Sequence, residues 1–203
     1  VLVIGAPSLL AQKYEINAYG GGVWPARTNV GQLENQAIWG ARGGVFLDSN
    51  FELEGTFGYL NHFRVEGVPE RTRGRLWEAA GNYNFSAKDW PVVRQFTPFI
   101  VVGAGAIRTH IKDVDSYSFL STNGGTVTPI GQLTPIGVGR VINVNDGDTF
   151  FTISYGGGFK SVRLWGPFGL RFEARGRTLP NYYHSSPTWL EATGGINFMW
   201  GEK

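Results

Sequence analysis

The chain has 203 residues, a length that fits one domain, with Gly 30, 14% aromatic and 17% charged residues. A formal net charge of +2 with no Lys/Arg block excludes a nucleic-acid surface, and the absence of Cys excludes disulfides, thiol catalysis and zinc-finger spacings. Without an apolar run of about 18 residues a helical membrane span is excluded too, whereas a tilted membrane strand needs only about 9 to 11 residues.

Taken in order, residues 1–11 form an apolar run, VLVIGAPSLLA, followed by Gln12 and Lys13; 1–12 is the expected remnant of a secretory signal, with a first barrel strand or an N-terminal plug as the alternative. The rest of the chain, 13–203, is expected to form one domain. A first strand runs from Tyr14 to Trp24, with Tyr14, Ile16 and Ala18 alternating against Glu15, Asn17 and Tyr19, and Pro25 ends it. In the second, Ala37, Trp39, Ala41, Val45 and Leu47 oppose Gln36, Arg42 and Phe46, before a tight turn at Asp48, Ser49 and Asn50. The third alternates most cleanly: Phe51, Leu53, Phe57, Tyr59 and Phe63 share one face, and Glu52, Glu54, Thr56 and His62 the other. The fourth sets Trp77, Ala79, Gly81, Tyr83 and Phe85 against Glu78, Asn82 and Asn84, and a short turn is expected around Lys88 to Pro91. The fifth, Phe96 to Ile107, is apolar on both faces; Phe99, Val101 and Ile107 are assigned to the outer one. A long loop from Arg108 to Asp148 follows. The last three strands set Phe151, Ile153, Tyr155 and Phe159 against Thr152, Ser154 and Lys160; Phe168, Leu170, Phe172 and Ala174 against Arg171, Glu173 and Arg175; and Leu190, Ala192, Ile196, Phe198 and Trp200 against Glu191, Thr193 and Asn197.

Eight such strands, joined alternately by long and short connections, predict an all-β fold: an eight-stranded antiparallel up-and-down transmembrane β-barrel. Aromatic residues gather at both strand ends, giving expected girdles of Trp24, Trp39, Tyr59, Trp77 and Trp189 at the long-loop rim and Phe85, Trp165, Phe168, Phe198 and Trp200 at the other. Turned inward, the polar faces would place Arg42, Glu52, Glu54, Glu78, Lys160, Arg171, Glu173 and Arg175 in a narrow lumen. There each cation should lie against a carboxylate, because an unpaired buried charge is costly. A barrel this narrow holds little more than side chains, so at most a small gated conductance is expected. Period-two alternation does not say which face is inside, and a soluble lipocalin-like ligand-binding barrel is the alternative with charges outward.

The strand pattern, the turn rhythm and the closing run GGINFMW resemble the eight-stranded barrels of the outer membrane protein A transmembrane type, over Tyr14 to Trp200. The resemblance implies a bacterial outer-membrane protein of the Gram-negative cell envelope, exported through the periplasm and monomeric, surrounded by lipid and lipopolysaccharide. The terminal Ile196, Phe198 and Trp200 also look like the signal read by the barrel-assembly machinery, although Gly201, Glu202 and Lys203 follow them. The role expected is structural or surface-interacting, with the 108–148 loop as the place for an external partner.

A catalytic alternative rests on PNYYHSSPTWLE, where His184, Ser186 and Glu191 would be base, nucleophile and orienting acid. The His-x-Ser spacing is similar to that of outer-membrane lipid A deacylases, but a polar surface loop between Pro180 and Pro187 accounts for it equally. No cofactor and no metal site is expected: NVNDGD, Asn143 to Asp148, offers oxygen ligands together with Asp113 and Asp115 but lacks the EF-hand order, and reads as a turn.

Overall fold

The computed structural model describes residues 13–26, 33–63, 72–85, 96–112, 114–122, 127–129, 139–161 and 164–201. The signal remnant expected over residues 1–12, the turn expected around Lys88 to Pro91, and Asp113 lie outside them. All the elements are strands: β1 (Tyr14–Pro25), β2 (Gln36–Phe46), β3 (Phe51–Leu60), β4 (Thr72–Asn84), β5 (Phe96–Ile111), β6 (Ser116–Thr122), β7 (Val127–Pro129), β8 (Gly139–Asn145), β9 (Thr149–Ser161), β10 (Phe168–Thr178) and β11 (Thr188–Trp200). Eight close into an antiparallel barrel in the order β1-β11-β10-β9-β5-β4-β3-β2, and β7-β6-β8 form a separate three-stranded sheet. Closure pairs Tyr14 with Trp200 at one rim and Pro25 with Trp189 at the other, so the barrel has no free sheet edge.

Alternation decides what each face meets. Ile16, Leu53, Val102, Phe151, Phe172 and Ile196 are exposed on the outer wall, while Glu15, Asn17, Glu52, Glu54, Asn82 and Arg171 are buried inside. The barrel is therefore inverted relative to a soluble protein: the oily face points out and the charged face in. On β3 the strand ends at Leu60 and the phase is lost, so Phe63 is buried inside the barrel and His62 is exposed, the reverse of the sequence assignment.

Strand β5 needs a second correction. Phe99, Val101 and Ile107 face inward and are almost fully buried, while Ile100 and Val102 face out. Both faces of this strand are apolar, so its alternation carries no phase of its own. Pairing supplies it: Asn84 lies opposite Phe99, Asn82 opposite Val101 and Leu76 opposite Ile107, and residues directly opposite share a face.

Tight turns carry their own chemistry. Asp48 accepts from the backbone amides of Asn50 and Phe51, both at 2.7 Å, which closes the β2–β3 turn and lowers the carboxyl pKa below its ordinary value. Between β8 and β9, Gly147 at φ +85° makes the corner, Asp146 accepts from Ile111 N at 2.8 Å, and Asp148 accepts from Asn145 N at 2.9 Å. NVNDGD is thus a turn whose acids are engaged by the backbone. Within the long loop expected over Arg108 to Asp148, the described residues include further strands: β5 continues to Ile111, and β6, β7 and β8 build the small sheet above the rim.

Two glycines on β2 separate steric need from indifference. A Cβ on Gly40 would fall 2.0 Å from the Phe57 carbonyl oxygen, whereas one on Gly43 would meet nothing within 4 Å. Gly40→Ala should destabilise the barrel by about 1–3 kcal/mol through the forced backbone shift, and Gly43→Ala by less than about 0.5 kcal/mol. Urea unfolding of the two variants in lipid vesicles measures the difference.

Candidate functional site

The candidate site is the lumen, and β10 organises it. Its period-two series Arg171, Glu173, Arg175, Arg177 points inward along the barrel axis, each side chain at or below 5% exposed. Opposite strands supply the counter-charges. At the short-turn end, Lys160 Nζ on β9 donates to Glu52 at 2.6 Å and Glu15 at 3.0 Å. Next, Arg171 donates to Glu54 at 2.5 Å and to Glu173 through Nε at 3.0 Å and Nη2 at 2.6 Å. Arg175 then bridges Glu173, Glu78 and Glu54, the last at 2.8 Å, and Arg42 lies 3.4 Å from Glu173 and 3.9 Å from Glu54. Arg177 completes the ladder on Glu78 and on Glu191, the latter at 2.6 Å.

Charge is balanced almost completely along this ladder. Six buried carboxylates, Glu15, Glu52, Glu54, Glu78, Glu173 and Glu191, face five buried cations, Arg42, Lys160, Arg171, Arg175 and Arg177. Glycine makes room for them, since a Cβ on Gly44 would fall 2.0 Å from Glu52 Oε1 and one on Gly103 2.9 Å from Glu78 Cδ. Aromatic rings cover the cations from the side: the Arg42 guanidinium lies 3.8 Å from the Tyr19 ring centroid, Arg171 4.4 Å from Phe99, and Lys160 4.7 Å from Phe46.

The long-loop end of the lumen is filled by apolar side chains. Leu33, Phe63, Phe119, Ile142, Val144, Leu179 and Tyr182 all join one buried cluster with Val23, Ile38, Leu76, Ile107 and Trp189 from the strands. Each connection at that rim therefore sends a side chain inward: Leu33 from 26–35, Phe63 from 61–71, Phe119 from 112–148 and Tyr182 from 179–187. Ring contacts at 4.8–6.1 Å link Phe63, Phe150, Tyr182, Tyr183 and Trp189. Trp189 joins this plug to the ladder, donating Nε1–H to Glu191 at 2.7 Å.

All eight lumen residues singled out in the sequence therefore meet in one network, which also takes in Glu15, Glu191 and Arg177. Arg177 was missed although it continues the two-residue step of Arg171, Glu173 and Arg175. Of the girdle residues, Trp24, Trp39, Trp77, Trp165, Phe168, Phe198 and Trp200 are exposed on the outside, and Tyr59 and Phe85 are half-buried. Trp39 packs on Tyr59 at 5.1 Å and Phe198 on Trp200 at 5.6 Å. Trp189 is not in the girdle: it shares the inward phase of Glu191 and is 2% exposed.

His184, Ser186 and Glu191 are not brought together as a relay. Tyr183 and His184 occupy the two central positions of a turn at φ 45° and 64°, closed by Ser185 N donating to the Tyr182 carbonyl at 2.8 Å, the geometry of a primed hairpin turn. Ser186 donates to the Pro180 carbonyl at 2.9 Å, and Glu191 is held inside by Arg177 and Trp189. The Tyr183 hydroxyl donates to Asp148 at 2.8 Å, and burial pushes the Tyr182 and Tyr183 phenols above their ordinary pKa.

Comparison with known proteins follows from this geometry. No family model matches the chain, and no curated protein does. Among solved structures, Neisserial surface protein A superposes with a TM-score of 0.58 at 8% identity, covering 92% of this chain and 96% of that one. The N-terminal β-barrel domain of Pseudomonas aeruginosa OprF superposes with a TM-score of 0.51 at 16% identity, covering 93% and 97%. The chain has the eight-stranded outer-membrane barrel fold. At these identities the likeness concerns architecture alone.

Removing one member of the ladder leaves its partners buried and uncompensated. Arg175→Met should lower stability by about 3–5 kcal/mol, the usual cost of breaking a buried pair. Urea titration of vesicle-embedded protein, followed by tryptophan fluorescence, reads the shift.

Proposed function

We propose that this chain is a bacterial outer-membrane barrel, closed in its resting state, whose role is architectural and surface-interacting rather than catalytic. The observation that carries this reading is the doubly filled lumen. A salt-bridge ladder runs from Lys160 to Arg177, and an aromatic plug sits above it. A lipocalin-like carrier needs an empty cup, and a free pore needs a continuous water path; packed side chains oppose both.

The outward apolar wall and its two aromatic levels support residence in a bilayer. In this reading the long-loop rim faces the outside, where the β6-β7-β8 sheet is the surface offered to an external partner. Tyr117, half-buried, and Phe119, Ile142 and Val144 anchor that sheet on the plug, so it is presented at a fixed height rather than on a loose tether. Ile196, Phe198 and Trp200 lie outward on the closing strand, and in this reading they are the signal for assembly machinery. The separation of His184, Ser186 and Glu191 supports a role without hydrolysis at that loop.

The test is conductance. Full-length mature chain inserted in planar bilayers, with insertion confirmed by protease protection of the barrel, should show no discrete current steps. Steady steps from inserted wild-type protein would overturn the closed state. Steps appearing only in Glu52→Gln would instead assign the closure to the Lys160 end of the ladder.

A further inference from the structure

Of all the Lys, Arg, His, Asp and Glu side chains on the eight barrel strands, four lie on the outer wall: Arg73, Arg75, Arg108 and His110. They form one patch. Arg75 pairs directly with Arg108 and Arg73 with His110 across β4 and β5, at the long-loop end. Like charges directly opposite in a sheet repel, at Cβ separations of about 4.5–5.5 Å. Among the described residues, no carboxylate lies within ion-pair distance of Arg73, Arg75 or Arg108. Asp146, the acid beside the patch, is taken up by Ile111 N and by His110 Nδ1 at 3.0 Å. Arg108 also acts on Asp146 electrostatically, and among the described residues the patch keeps an excess of positive charge on the outer wall.

Its height on the wall is specific. Arg75 lies opposite Tyr59, which packs on Trp39, so the patch begins at the upper aromatic level, where lipid headgroups sit. Directly below, Trp77 pairs with Ala106 on the same outward face, about 7 Å further along the tilted strand. There the wall has a shallow apolar groove, lined by the small residues Gly43, Gly55, Ala79 and Gly105 and by the rings of Phe57 and Trp77. Cations above an apolar groove match an amphiphile with an anionic head and a hydrocarbon tail.

We infer that this part of the wall binds one phosphorylated acyl lipid, its phosphate against Arg73, Arg75 and Arg108 and one acyl chain in the groove beneath. Guanidinium forks match phosphate oxygens, and the bound anion relieves the Arg75–Arg108 repulsion. The site rests on the outer-membrane reading above, because it requires that this face meet lipid.

The test uses the full mature chain in phosphatidylcholine nanodiscs carrying a minor fraction of phosphatidic acid, with native mass spectrometry counting the lipid that stays bound. One phosphatidic acid per chain should be retained, out of proportion to its abundance. Arg75→Gln with Arg108→Gln should cut that retention roughly tenfold or more, two basic contacts being lost. Gly55→Leu should also cut it by occupying the groove, and it is tolerated sterically because a Cβ there approaches only the Gly43 carbonyl, at 4.0 Å. Retention in proportion to abundance, unchanged retention in either variant, or displacement of the lipid by inorganic phosphate alone would overturn the site. Failure of the wild type to enter nanodiscs would overturn the membrane reading and the site together, whereas insertion without lipid preference would overturn the site alone.

Discussion

Eight strands enclose a lumen about as wide as the side chains that fill it, and the described residues put eleven charged groups there. In so confined a space each charge needs a partner within hydrogen-bond reach, so the whole interior has to be laid out as one neutralising network. Much of the remaining structure answers to that demand. The inward glycines Gly44 and Gly103 stand where carboxylates need space, and Tyr19, Phe46 and Phe99 close the flanks that carry no counter-charge.

The ladder and the plug divide the lumen between two kinds of packing. Below, Lys160 to Arg177 specify register by pairing, because a one-residue slip of β10 would turn four charges toward the outside. Above, the aromatic cluster is hydrophobic and draws on side chains from every connection at that rim, so it ties the loops to the barrel and seats the outer sheet. Trp189 belongs to both, its ring in the plug and its N–H on Glu191. A sheet held this way shares the rigidity of the barrel.

How much of this was legible depended on whether a strand's two faces differ chemically. On β3, Glu52, Glu54 and Thr56 alternate with Leu53 and Phe57, and the inward face could be read residue by residue. On β5, Phe99 to Val102 is apolar throughout, so only pairing with Asn82 and Asn84 determines the phase. Trp189 was assigned by residue type to a girdle although its position matches the inward phase of Glu191. The plug was invisible for a different reason: Leu33, Phe63, Phe119 and Tyr182 come from four separate connections, and no local periodicity announces that they meet. The charged face, in contrast, was readable from its period of two on several strands, and the exposed apolar wall of the closed barrel shows that this face lines the lumen.

The orientation of the two faces is the claim on which all of this stands, and β3 allows it to be measured directly. The chain has no Cys, so single cysteines at Leu53, Gly55 and Phe57, at the inward Thr56, and at Asn143 on the outer sheet can each carry one nitroxide label in vesicle-embedded protein. Collision rates with oxygen and with a water-soluble nickel chelate then report lipid and water separately. Labels at 53, 55 and 57 should collide with oxygen and be shielded from the chelate, the label at 56 should be shielded from both, and the label at 143 should meet the chelate freely. Chelate access at 53, 55 and 57 equal to that at 143 would contradict the account, for it would mean that the apolar wall faces water.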